Sequence, residues 1–173
     1  MTVSELSFQE YHPYYKNYID QVGDVNLIEG LESSFIRTLS FIKEIPNDKL
    51  TYQYAEGKWT IKEIVQHLID SELIFNYRAL RFARNDQVSL PGFDENAYVP
   101  ASLANNRGLD QLLNHYASVR QSTVALFSSF DKDMLLRIGQ ASESNMSVRA
   151  LGFVIIGHEI HHCKIIKERY LDL

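Results

Sequence analysis

Apolar residues recur at intervals of three and four in four long stretches of the chain, and less regular segments, two of them carrying proline, separate them. From Asn26 to Ile45 the apolar positions are Leu27, Ile28, Leu31, Phe35, Ile36, Leu39, Phe41, Ile42 and Ile45, which predicts a first long helix closed by Pro46. Thr60-Ile61-Lys62-Glu63 is a capping box, so a second helix begins there and runs to about Arg84 through Ile64, Val65, Leu68, Ile69, Leu73, Ile74, Tyr77 and Leu80. A third spans Leu109 to Phe130, and Ser147 is an N-cap for a fourth that ends near Leu171. Ahead of these, Tyr14 to Val22 reads as a short amphipathic helix stopped by Gly23. The links 85–108 and 131–146 show no clear period, and nothing alternates as a strand would, so the expectation is an all-α, four-helix bundle.

The fourth helix differs from the others because its apolar residues cover more than one face, as in a helix packed inside the bundle. It also carries Gly157-His158-Glu159-Ile160-His161-His162. His158 and His162, four residues apart, share a face at a spacing of about 6 Å, so both could bind one metal ion or stand as two hydrogen-bonded core histidines. The same residues match the H-E-x-x-H pattern of zinc proteases, in which Glu159 would be the general base. The extended protease motif needs Gly at 165 and His at 168, where this chain has Ile165 and Glu168, so a third ligand must come from upstream. His67, two turns into the second helix and on the stripe of Ile64, Ser71, Ile74 and Arg78, is the obvious third ligand.

Composition narrows the classes further. The chain has 173 residues, 45% of them hydrophobic and 23% charged, which suits one domain over 1–173 with a substantial core. A net charge of −5 and the lack of any basic stripe argue against a nucleic-acid groove. The single cysteine, Cys163, excludes disulfide scaffolding and reads as an inert buried thiol in a reducing, cytoplasmic setting. No stretch is apolar enough to span a membrane, and the N-terminus lacks the pattern of a secretory signal. Smaller expectations attach to single residues: Asp70 as an orienting partner of His67, Arg78 as a steering group for an anionic substrate, His161 pointing away from the metal, His115 on the surface, and Leu90-Pro91-Gly92-Phe93 shaping a pocket rim.

Several motifs together resemble the DinB-like, YfiT-like metal-dependent proteins: Gly57-Lys58-Trp59-Thr60-Ile61-Lys62-Glu63 leading to His67, Arg78-Ala79-Leu80-Arg81 followed by Leu90-Pro91-Gly92-Phe93, and Ser147-Val148-Arg149-Ala150 leading to Gly157-His158-Glu159 and His161-His162. The resemblance covers nearly the whole chain. It implies a four-helix bundle connected up-down-down-up, with a divalent ion, nickel or zinc, on His67, His158 and His162. It also implies a hydrolase, or a transferase using a low-molecular-weight thiol such as bacillithiol, mycothiol or glutathione, acting on a small molecule in a chain that could form a homodimer. A zinc protease, with Glu159 as base, and a metal-free helical interaction module are the alternatives.

Overall fold

The computed structural model describes residues 1–171. Its α-helices are α1 (Lys16–Ile19), α2 (Leu27–Lys43), α3 (Ile61–Ala83), α4 (Glu95–Ala101), α5 (Leu109–Ser128), α6 (Lys132–Leu136) and α7 (Val148–Tyr170). The four long ones, α2, α3, α5 and α7, form the bundle. Three of them, α2, α3 and α7, begin at a side chain that accepts from an amide of the first turn. Asn26 accepts from Ile28 N–H, and Ser147 Oγ accepts from Ala150 N–H at 3.1 Å. At the start of α3 the capping box forms as the sequence requires: Thr60 Oγ1 accepts from Glu63 N–H at 3.2 Å and Glu63 accepts from Thr60 N–H at 2.7 Å.

Contacts between helices fix their directions. Gly30 of α2 lies against Ile156 and Thr38 against Cys163, so α2 and α7 run parallel. Trp59, just before α3, meets His162 while Phe75 meets His158, so α3 opposes α7. Arg120 of α5 reaches Glu72 and Thr123 reaches Asn76, so α3 and α5 are parallel. The connection is therefore up-down-down-up, and the 85–108 link carries the chain back along the bundle to start α5 beside the start of α3.

That link is not structureless: it contains α4 and a 3-10 turn at Ala104–Asn106. The expectation that no strand occurs is corrected at 138–147. There β1 (Ile138–Ala141) and β2 (Ser144–Ser147) make a two-stranded antiparallel hairpin whose turn residues Ser142 and Glu143 adopt left-handed φ of 51° and 60°. Four residues per strand are too few to show a period of two, and Leu90 completes the pairing from 50 residues away through Leu90 N–H to Gln140 O and Ser142 N–H to Leu90 O. The N-terminal helix is also shorter than expected: a 3-10 turn at Pro13–Tyr15 runs into α1.

The core has two apolar clusters along the bundle. One gathers around Leu27, Leu31, Phe82, Phe127 and Phe153, the other around Ile42, Ile61, Val65, Leu112, Tyr116 and Ile166. Between them lies a buried polar level to which every long helix contributes: Ser34 from α2, Glu72 from α3, Arg120 from α5 and Glu159 from α7. Arg120 donates to both oxygens of Glu72, at 2.7 and 2.9 Å, to Glu159 at 2.8 Å and to Leu31 O at 2.8 Å. Tyr116 donates to Glu159, and Thr123 to Glu72 at 2.5 Å. Because buried charges are tolerated only when paired and hydrogen-bonded, this level locks the helices in one axial register.

Candidate metal centre

All residues from Met146 to Glu159 are buried, so the side chains at the middle of α7 must find partners on every neighbouring helix. His158 and His162 point at α3, and His67 points back at them. His67 Nε2 lies 3.0 Å from His158 Nε2, and His162 Nε2 lies 3.1 Å from the same atom. One ligand atom from each of the three falls within 4.8 Å of the other two. Direct hydrogen bonding does not account for this geometry. A neutral imidazole nitrogen offers either one lone pair or one N–H, so His158 Nε2 satisfies one neighbour and not both. Three imidazole nitrogens converging on a point instead match one face of a tetrahedral site, where ligand atoms about 2.0–2.1 Å from zinc stand roughly 3.3 Å apart. The residues fit a divalent ion.

Burial keeps these rings unprotonated. It pushes His67 down to about 4, and His162 down to about 3 with the help of the neighbouring His67 and His161. His158, 8% exposed, lies well below the ordinary histidine range for the same reason, and His162 and His67 add to the effect. Neutral imidazoles are the form that binds metal, so no proton has to be displaced at neutral pH. Ser71 Oγ, one turn along α3, lies 3.5 Å from His67 Nδ1, which suits the tautomer whose Nε2 is bare.

The walls come from three further segments. Gly157 allows the first: a Cβ there would run into the Tyr18 carbonyl, so only glycine lets the α1 segment lie directly on α7. Tyr18 then stands edge-on to His158 and His161, with ring centroids 5.4 and 5.2 Å away. Trp59 packs against His67 at 4.8 Å. Phe93, from the 85–108 link, closes the far side over Arg78. Together they enclose a cavity of about 240 Å³ beside the histidines, lined also by Tyr14, Tyr15, Ser71, Phe75, Glu95 and Ser142.

The structure sorts the other residues singled out from the sequence. Arg78 and Phe93 line this cavity, and so does His161, which faces Tyr18. Asp70 is not paired with His67; its carboxylate accepts from Gln66 at 2.7 Å, and Ser71 occupies the place beside the ring. Cys163 sits against Thr38 with its thiol pushed up to about 11 by burial, the state of an unreactive thiol. Glu159 is 1% exposed and held by Arg120 and Tyr116 in the polar level. The protease arrangement, with the glutamate of H-E-x-x-H beside the metal, is therefore not the one this structure adopts. The tyrosines of 14–18 and Ser142 had no signal in the sequence beyond an aromatic-rich N-terminus, because tertiary contacts alone bring them to the site.

The family model of the DinB superfamily matches residues 31–166, a span that contains all three histidines. The chain belongs to the DinB superfamily. The chain is 22% identical over 142 residues to the Oceanobacillus iheyensis protein named "Putative metal-dependent hydrolase OB0413", covering 81% of each chain. Its fold matches that of YfiT from Bacillus subtilis, described as "a probable metal-dependent hydrolase with an unusual four-helix bundle topology", with a TM-score of 0.73, 19% identity and coverage of 94% of this chain and 93% of that one. The DinB bundle thus supplies the frame on which α3 and α7 present the three histidines.

Proposed function

We propose that this DinB-superfamily protein is a divalent-metal-dependent hydrolase of small molecules, with zinc or nickel held by His67, His158 and His162. The observation that carries the reading is the convergence of three neutral imidazole nitrogens, two on buried rings and one on a part-buried ring, on one point in the wall of a cavity. The name of the Oceanobacillus relative supports it. An ion held by three neutral protein ligands keeps coordination positions for water or a thiol and lowers the pKa of what it binds.

The chain's own residues do the rest. Ser71 orients His67, Tyr18 packs edge-on to His158 while Trp59 lies tilted against His67 and stacked on His162, both shielding the rings from bulk water, and the small cavity limits the substrate to a few groups beyond the reacting one. Glu159, committed to Arg120, is not available to move a proton. His161 is the wall residue suited to that role: it is part-exposed, its pKa is lowered mainly by burial, and it is therefore a neutral acceptor at pH 7.

Protein stripped with a chelator and reloaded with one equivalent of zinc or nickel is expected to hydrolyse members of a panel of small esters, amides and lactones that the stripped protein leaves intact. His161→Gln should lower turnover while retaining metal. The same panel run with and without a low-molecular-weight thiol separates hydrolysis from thiol transfer at the same ion. Equal activity with and without metal would overturn the proposal.

A further inference from the structure

Three arginines are buried in this fold, and two of them are matched by carboxylates. Arg120, 2% exposed, is paired with Glu72 and Glu159, and Arg149 donates to both oxygens of Glu10 at 2.7 and 2.6 Å. Arg78 is the exception. It is 4% exposed, yet among the described residues no carboxylate lies within ion-pairing distance of it. Its Nη2 donates to Pro91 O at 3.1 Å and to Ser142 Oγ at 3.0 Å, and the Phe93 ring lies 5.9 Å from the guanidinium. These partners are neutral. They fix the planar group in one orientation without cancelling its charge, although a guanidinium stays protonated in any protein interior.

The clamp is built for that purpose. Ser142 is in the left-handed turn of the hairpin, and Leu90 joins that hairpin by backbone pairing, so two distant segments meet over one side chain. A Cβ at Gly92 would come within 3.1 Å of Ser142 Oγ, so the 90–93 segment fits the hairpin turn closely because it has glycine there. Arg78 lies on the same stripe of α3 as His67 and Ser71, three turns further on. Helical side chains lean toward the N-terminus, so it leans toward the histidines. Both ends line one cavity. Glu95 lines it too, part-exposed and outside ion-pairing distance.

A buried cation with no protein counter-ion, aimed into the cavity of the metal centre, is completed by a ligand that brings the negative charge. We propose that Arg78 is the anion-binding group of this site, and that the substrate is a small molecule bearing a carboxylate or another compact oxyanion beside the group that reaches the three histidines. The inference rests on reading the cavity as the active site. Its volume, about 240 Å³, is that of roughly eight waters at ~30 Å³ each, which suits a single ring or short chain with one charged end.

The test is calorimetric titration of the full chain, chelator-treated and zinc-loaded, at pH 7.5, with benzoate, phenylphosphonate and benzamide, three probes sharing one aromatic body. With the histidines neutral and metal removed, Arg78 is the charge that discriminates among them. Metal-free protein is expected to bind benzoate or phenylphosphonate at least about tenfold more tightly than benzamide, and whichever leads identifies the oxyanion class. Arg78→Met should abolish that preference with zinc content unchanged, and Arg78→Lys should keep part of it. If Arg78→Met does not fold, the guanidinium ¹⁵N resonance of Arg78 should shift on benzoate addition to the native chain and stay fixed with benzamide. Equal affinity for benzoate, phenylphosphonate and benzamide, or a preference that survives Arg78→Met, would overturn the assignment. A chain that binds no zinc but prefers the oxyanions would refute the hydrolase reading and leave Arg78 as an anion site.

Discussion

Burying three histidines without protons makes the metal-free fold sensitive to acid. In the unfolded chain His67 titrates near its ordinary 6.5, whereas in the fold burial holds it at about 4. Above pH 6.5 neither state carries the proton. Between pH 6.5 and 4 the unfolded state takes up a proton that the folded state refuses, so stability falls with pH through this window, and His162 extends it to about 3. Chelator-treated protein should therefore lose roughly 2 kcal/mol from His67 between pH 6.5 and 4.5 in urea titrations, and His67→Ala should flatten that slope. A midpoint independent of pH in both proteins would contradict the assignment of neutral rings. Glu159, next in sequence to His158, behaves differently because it faces Arg120. Replacing Arg120 by Met strands two buried carboxylates and should cost on the order of 3–5 kcal/mol in urea unfolding. Glu159→Gln should lower stability by about 1–3 kcal/mol while metal content stays intact. A general base would show the opposite pattern, with turnover lost and stability kept.

At the scale of elements, α7 explains both what could and what could not be read in advance. His67 could be singled out as a third ligand by its stripe on α3, and that His158 and His162 share one face follows from helical spacing alone. Which neighbour Glu159 faces does not, because Met146 to Glu159 are buried on every side and no polar stripe marks a direction. Asp70 and Ser71 illustrate the same limit: they stand three and four residues after His67 on one helix, and which of them meets its Nδ1 depends on the rotamer the ring takes toward α7. The hairpin of 138–147 was illegible for another reason: its strands are short and their third partner, Leu90, is remote. Gly157 is the element-level device most open to test. Gly157→Ala should push α1 and Tyr18 off α7, lowering stability by about 1–3 kcal/mol. It should also expose His158 and His161, detectable as faster modification of those rings by diethylpyrocarbonate. Unchanged stability and unchanged reactivity would mean that α1 does not depend on this close approach.

The whole molecule is a bundle in which two consecutive long helices, α3 and α5, run parallel and so require the long 85–108 crossing; that crossing and the hairpin then supply the cavity's outer wall. The four long helices, the caps at Thr60 and Ser147 and the absence of a tight turn after α3 were visible as periodicity and punctuation, whereas the short α4 and α6 inside the links were not. The direction of each helix needed the contacts of Gly30, Thr38 and Arg120. Because the three histidines of the proposed centre come from α3 and α7, an ion bound there would tie two helices together only in the folded state. Zinc at 100 times its dissociation constant should therefore raise the unfolding free energy by about 2.7 kcal/mol, an increment absent from His158→Ala. Trp59, the one tryptophan, stands beside His67 and reports binding through its fluorescence.

The most direct measurement is elemental analysis of the chain purified without a histidine tag, beside His67→Ala and His162→Ala. About one zinc or nickel per chain in the parent, lost from both variants, is the predicted result. A parent that holds no metal after incubation with zinc and nickel salts, or variants that retain it, would contradict a centre built from α3 and α7.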